Sequence, residues 1–360
     1  GCGAMDATNE KLLFSCDYME GAHPNIMRRF TETNLLKTPG YGADSFSGEA
    51  REKIRAACGA PGAEVYFLSG GTQTNAIVIG ALLRPYEGVI APESGHISVH
   101  EAGAVEAGGH KVLTLPQTLG KISASQVRGM LACYRQDENR AHMVMPGMVY
   151  ISQPTEYGTL YSLKEIQDMQ AVCREYGIPL YVDGARLAYA LACPENDVSL
   201  TDLAGLCDVF YIGGTKCGAL FGEALVIPDG ELLPHFFSIM KQNGAVFAKG
   251  RLLGIQFAEL FTDGLYERIG ENAIRAAEKI KAALREYGYR IYMETPTNQI
   301  FCVLEDEQAN RLGARVEFSF WEKPDDAHTI IRFATSWATT EEDAARLVEA
   351  LRQNAVRASC

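Results

Sequence analysis

The sequence predicts an α/β protein: a large domain on a mainly parallel sheet with helices on both faces, followed by a smaller C-terminal α+β domain. Three observations carry this expectation. From about residue 64 onward, short apolar, β-branched runs alternate with amphipathic stretches, the rhythm of βαβ units. Those runs are followed by polar or glycine-bearing loops, which in open α/β sheets mark the ligand-binding ends of strands. Beyond residue 251 the rhythm changes to two long helical patterns, three short strands and a closing helix. A length of 360 residues exceeds the ~100–200 of a single domain, so two domains are expected.

Each element follows from local chemistry. Residues 1–46, with His23-Pro24 and Pro39-Gly40-Tyr41-Gly42, read as an N-terminal arm; residues 47–262 form the large domain and 263–360 the small one. Strands are expected at 65–68, 89–90, 112–115, 148–151, 180–182, 209–212 and 224–227. A helix at 76–83 follows the first strand. Ser123 with Gln126 opens a second helix. Ser162-Leu163-Lys164-Glu165 is a capping box whose helix continues through Ile166, Met169, Val172 and Cys173 and stops at Gly177 and Pro179. Helices are then expected at 252–261 and 271–287, strands at 300–304, 316–320 and 330–334, and a last helix from Thr340 to Leu351, opened by Glu341, Glu342 and Asp343.

Composition narrows the function. Hydrophobic residues make up 47% and charged ones 22%, a globular balance, and no apolar run approaches the roughly 18 residues of a membrane helix. The formal net charge of −12 argues against nucleic acid and anionic membrane surfaces as partners. Ten cysteines without a C-x-x-C pair read as thiols in a reducing compartment. The opening Gly1-Cys2-Gly3-Ala4-Met5 lacks the charged and apolar regions of a signal peptide, so a cytoplasmic location is expected. His96, His100 and Glu101 do not form H-E-x-x-H, and no bound metal is expected.

Three segments carry chemistry. Ser69-Gly70-Gly71-Thr72-Gln73-Thr74-Asn75 joins a strand to a helix, and bare N–H groups, glycines and a hydroxyl there favour a phosphate. Tyr181-Val182-Asp183-Gly184-Ala185-Arg186 ends a strand in an acid with a base three residues on. Ile212-Gly213-Gly214-Thr215-Lys216-Cys217-Gly218 sets a lysine among glycines after a strand, where burial suits Schiff-base use. Each has a plainer reading: a tight turn with an N-cap, an aspartate capping a helix beside its Arg186 partner, and an anion-contacting lysine. Together they match what pyridoxal 5′-phosphate requires: a phosphate anchor, a partner for the pyridine nitrogen and a Schiff-base lysine. Neither G-x-G-x-x-G nor a P-loop signature is present, which disfavours dinucleotide and NTP readings.

With these residues in view, the chain resembles the low-specificity L-threonine aldolases of the fold-type I pyridoxal-phosphate enzymes, also grouped with the β-eliminating lyases. The resemblance spans nearly the whole length. It rests on Asp17, His23-Pro24, Tyr41-Gly42, Gly71-Thr72, His96-Ile97 with Glu101, Gln153-Pro154-Thr155-Glu156-Tyr157-Gly158-Thr159, Asp183 through Ala188, Gly213 through Lys216, and Ile331-Arg332 followed by Thr339-Thr340-Glu341-Glu342-Asp343. It implies a carbon–carbon lyase cleaving L-threonine, L-allo-threonine or related β-hydroxy-α-amino acids to glycine and an aldehyde. The alternative is a β-eliminating lyase or an aminotransferase acting on another amino acid.

By resemblance, Gly70, Gly71 and Thr72 hold the phosphate, Lys216 bears the cofactor, Asp183 meets the pyridine nitrogen and His96 stacks on the ring. Arg332 binds the substrate carboxylate, with Arg186, Tyr41 and Cys16 beside the substrate. Cys16 stands where the family usually has serine, and a thiol is the weaker donor. The base for the β-hydroxyl is left open among His96, His142 and, through a water, Glu101. Lys241 and Lys249 are implied to reach the phosphate of a neighbouring subunit, in a homodimer or homotetramer with active sites at the subunit interface.

Overall fold

The structure, a computed structural model, describes residues 10–355; Gly1-Cys2-Gly3-Ala4-Met5 and Cys360 lie outside the described residues. Its packing divides the chain into two units. One is Gly21–Ile269; the other joins the residues up to Glu20 to those from Gly270 onward. The division thus falls a few residues beyond the expected 262, and the expected arm is shared between the units.

The larger unit is built on seven strands: β1 (Glu64–Leu68), β2 (Glu87–Pro92), β3 (Val112–Leu115), β4 (Met145–Ser152), β5 (Leu180–Asp183), β6 (Val209–Gly213) and β7 (Glu223–Ile227). Their order is β1-β7-β6-β5-β4-β2-β3. β7 runs against its neighbours β1 and β6, and all other pairs are parallel. The carboxyl ends of the six parallel strands therefore share one edge, and β7 begins at that edge. Met148, Val149, Tyr150 and Ile151 are wholly buried, as a central parallel strand covered on both faces requires.

Helix boundaries follow the capping chemistry. Ser162 and Glu165 form the reciprocal capping box of the helix Leu163–Tyr176, which ends at Gly177 with φ 68°, and Ser123 with Gln126 does the same for Ala124–Gln136. Sequence reasoning did not resolve Pro24–Thr33 and Ser45–Cys58, two helices inside the expected arm and its junction.

In the smaller unit, β8 (Arg290–Met293), β9 (Gln299–Glu305), β10 (Ser319–Glu322) and β11 (His328–Ala334) form an antiparallel sheet in the order β10-β11-β9-β8. The strand expected at 316–320 is two elements. Val316–Glu317 pairs in parallel with Leu12–Leu13, and only Ser319 onward joins the sheet. Docking of the early chain turns the segment at Phe318, whose ring packs edge-on to Phe333 at 6.0 Å.

The ends of β5 and β6 approach too closely for side chains. A Cβ at Gly184 would lie 2.0 Å from the Tyr211 carbonyl oxygen, and one at Gly213 would lie 2.2 Å from that of Ala185. Gly184→Ala is therefore expected to cost about 2 kcal/mol or more, read as a lower urea midpoint. An unchanged midpoint would show that the backbone relaxes freely there.

Candidate active site

Strand alternation places the polar residues of the shared edge on one face of the sheet. Ser152 pairs with Asp183, Tyr150 with Tyr181, and Gly213 with Glu223, so these side chains alternate onto the same side as Tyr211. The rings of Tyr150 and Tyr181 stand 5.8 Å apart and those of Tyr181 and Tyr211 6.4 Å apart. Burial raises all three phenols well above their usual range, so they serve as hydrogen-bonding groups rather than anions.

The helix Gly71–Leu82 covers this face with its N-terminus at the shared edge. A Cβ at Gly71 would lie 3.0 Å from the Tyr211 hydroxyl, so glycine is what lets the helix start this low. Gln73 folds back to accept from the Ser69 N–H and hydroxyl, at 3.1 and 2.9 Å, and Thr74 closes onto the Gly70 carbonyl. The N–H groups of Gly71, Thr72 and Gln73 lie in the first turn, where no carbonyl of the helix can accept them. A Cβ at Gly70 would meet nothing within 4 Å, so open space lies beside these donors. That combination suits a phosphate.

Asn75, one turn further along, is wholly buried. Its Nδ2 donates to Glu101 Oε1 at 2.8 Å and to Asp183 Oδ2 at 3.0 Å, while its Oδ1 accepts from the Tyr181 hydroxyl at 2.7 Å. Asp183 Oδ2 also accepts from the Tyr150 hydroxyl at 2.6 Å, and Oδ1 from the Ala185 N–H at 3.0 Å. A fixed carboxylate at a strand end meets the need of a pyridine nitrogen for an acceptor.

His96 opens a short helix after β2. Its backbone N–H donates to Glu156 Oε1 at 2.8 Å, and its Nδ1 lies 2.7 Å from Glu101 Oε1. The Glu101 side chain is fully enclosed, whereas that of His96 is 32% exposed. Ser152 lies 2.6 Å from the same Glu156 oxygen.

Lys216 follows β6 in a loop held by Tyr189, whose hydroxyl donates to the Lys216 carbonyl at 2.5 Å. Glu223 stands beside it. Burial pushes the Glu223 carboxyl up to about 7, although the Thr215 hydroxyl at 3.1 Å and the charge of Lys216 pull it down. Arg186 is buried just past Asp183.

Other expected site residues are placed elsewhere. Tyr41, with left-handed φ 56°, docks on Ala248, and the exposed Lys241 sits 4.4 Å from its ring centroid. Lys249 is exposed nearby in sequence. His142 lies on an exposed turn before β4, at the opposite end of that strand from Ser152. Within one chain the structure does not bring it to Lys216. Cys16 and Arg332 belong to the smaller unit. There the Arg332 guanidinium donates to the Ser15 carbonyl at 2.7 Å, the Ser319 hydroxyl at 3.1 Å and Gln299 at 3.0 Å.

A family model described as beta-eliminating lyase matches residues 21–307. The chain belongs to that family. Two relatives are low-specificity L-threonine aldolases, both 29% identical: one from Pseudomonas aeruginosa over 351 residues and one from a Pseudomonas species over 356, each covering 96% of this chain and 98% of the relative. Among solved structures, a Leishmania major threonine aldolase is 43% identical with a TM-score of 0.92, covering 96% of this chain and 99% of that one. A Thermus thermophilus aspartate aminotransferase at 16% identity and TM-score 0.71, covering 96% and 92%, shows the shared fold-type I architecture.

Within this family frame, sequence reasoning missed Asn75, Tyr150, Ser152 and Glu223 as site residues. Glu223 had a signal: an acid opening an otherwise apolar strand next to the glycine loop. Glu223 also gives a pH test. Its folded pKa lies above the unfolded value, so its contribution falls as pH rises from about 4.5 to about 7 and is constant above. Glu223→Gln is therefore expected to gain on the wild type by about 3 kcal/mol between acid and mildly alkaline pH, read from urea midpoints. Parallel pH profiles of the two proteins would refute it.

Proposed function

We propose that this chain is a pyridoxal-phosphate-dependent aldolase that cleaves the Cα–Cβ bond of L-threonine, L-allo-threonine or related β-hydroxy-α-amino acids, releasing glycine and an aldehyde. The near full-length likeness to threonine aldolases carries this reading. The convergence of the Gly70-Gly71-Thr72 cradle, Asp183, Lys216 and His96 at one sheet edge supports it. When bound, the cofactor supplies an electron sink for the pair left by bond cleavage. Gly70, Gly71 and Thr72 would hold its phosphate, Asp183 its pyridine nitrogen, His96 its ring face, and Lys216 would bear it.

The chain's own residues then divide the remaining work. Arg332 would bind the substrate carboxylate bidentately, with Arg186, Tyr41 and Cys16 at the substrate. His96 is the base for the β-hydroxyl. With Glu101 accepting at Nδ1, the proton stays on Nδ1 and the Nε2 lone pair is free to take another. Glu101 is enclosed and acts through His96 rather than on substrate. The exposed Met27, Leu35 and Leu36 support a homodimer or homotetramer, in which Lys241 and Lys249 reach a neighbouring subunit's phosphate. A reducing, cytoplasmic setting completes the reading.

The purified protein is expected to be yellow, and borohydride should fix the cofactor to Lys216, shown by peptide mapping. A panel of β-hydroxy amino acids should give glycine and aldehyde, and Lys216→Ala should abolish turnover. A 2-keto acid with free ammonia would instead favour β-elimination, the activity in the family's description, and a keto acid without ammonia an aminotransferase. Protein that stays colourless with added cofactor would overturn the assignment.

A further inference from the structure

Arg332 has a neighbour whose residue type stability alone does not explain. Register builds a box around the guanidinium. Phe301 and Ser319 lie directly opposite Arg332 in the flanking strands, and Gln299, two residues before Phe301 on β9, shares their face of the sheet. The Trp321 ring centroid stands 5.8 Å from the guanidinium carbon, and Phe301 packs edge-on to Trp321 at 4.8 Å. All of these residues belong to the smaller unit.

Gln299 is wholly buried. Its Oε1 accepts from Arg332 Nη1 at 3.0 Å, while Nη2 donates to the Ser15 carbonyl and the Ser319 hydroxyl at 2.7 and 3.1 Å. Ties on both terminal nitrogens keep the planar fork from turning. A guanidinium only donates, so the amide must present its oxygen to Arg332 and carry its Nε2 elsewhere. There Nε2 is buried without a hydrogen-bond partner among the described residues. A buried unpaired donor costs stability, and a side chain such as methionine would bring no such donor. What Gln299 adds is the oxygen on Arg332.

We propose that Gln299 is a positioning residue that fixes the Arg332 guanidinium for an incoming carboxylate, leaving its own amide N–H groups unpaired to do so. Its oxygen is neutral, so it orients the guanidinium without setting a competing charge beside it. The arrangement is complete within the smaller unit; its use at a substrate carboxylate rests on the role given to Arg332 under the proposed function.

The test uses the full-length enzyme with cofactor bound and compares wild type with Gln299→Met, Gln299→Glu and Arg332→Ala. Glycine binding is titrated from the absorbance of the bound cofactor, methylamine serves as an amine without a carboxylate, and urea midpoints report stability. Gln299→Met should bind glycine about tenfold more weakly, with methylamine binding and the urea midpoint unchanged. Gln299→Glu keeps an oxygen on Nη1 but adds a competing charge, so it should lose about tenfold or more for glycine and nothing for methylamine. A lower midpoint in Gln299→Met with glycine affinity intact would mark a merely structural residue and overturn the proposal, as would wild-type glycine affinity in Gln299→Glu. Arg332→Ala separates this outcome from a failure of the functional reading. If Arg332→Ala binds glycine like the wild type, Arg332 does not take the carboxylate and both fall; if it binds glycine weakly while the Gln299 variants bind normally, only the role of Gln299 falls.

Discussion

One amide holds the larger unit's site together. Asn75 sits one turn into the helix whose first N–H groups form the cradle, and its Nδ2 ties Glu101 to Asp183 while Tyr181 fixes which way the amide points. The cradle, the carboxylate behind His96 and the carboxylate at the end of β5 are therefore spaced by a single planar group. Removing it would leave two buried carboxylates short of a donor, a cost of about 1–3 kcal/mol for each unsatisfied group. The seven-stranded sheet supplies the edge, but this contact sets where its loops stand relative to one another.

The electrostatics follow from the same crowding. Asp183, Glu101, Glu156 and Glu223 are all buried near one end of one sheet face. Four acids close together cannot all keep the pKa of an exposed carboxyl, and burial raises Glu156 and Glu223. Lys216 lies among them. An acidic chain thus builds an active site whose behaviour depends on proton placement rather than on net charge.

Much of this was legible in the sequence, for reasons that differ by residue. The parallel strands showed as apolar runs because both faces are covered, and the capping boxes at Ser123 and Ser162 marked helix starts because their geometry is local. Gly71, Asp183 and Lys216 stood out because loops after strands carry unusual residue types. Asn75, Tyr150 and Ser152 did not, since an asparagine in a helix or a tyrosine in a strand looks ordinary until the fold brings both beside Asp183, 108 and 33 residues away. The split at Phe318 was invisible because it depends on Leu12–Leu13 pairing with the far end of the chain.

In the smaller unit, Arg332 is tied by the Ser15 carbonyl, the Ser319 hydroxyl and the Gln299 amide oxygen. A solvated arginine gives up about 1.5–2 kcal/mol of rotamer freedom when it is fixed. Here folding has already ordered the side chain, so a carboxylate bound by it would meet little further entropic cost. Ser15 adjoins Cys16. A substitution there would reach the guanidinium through the main chain that holds it.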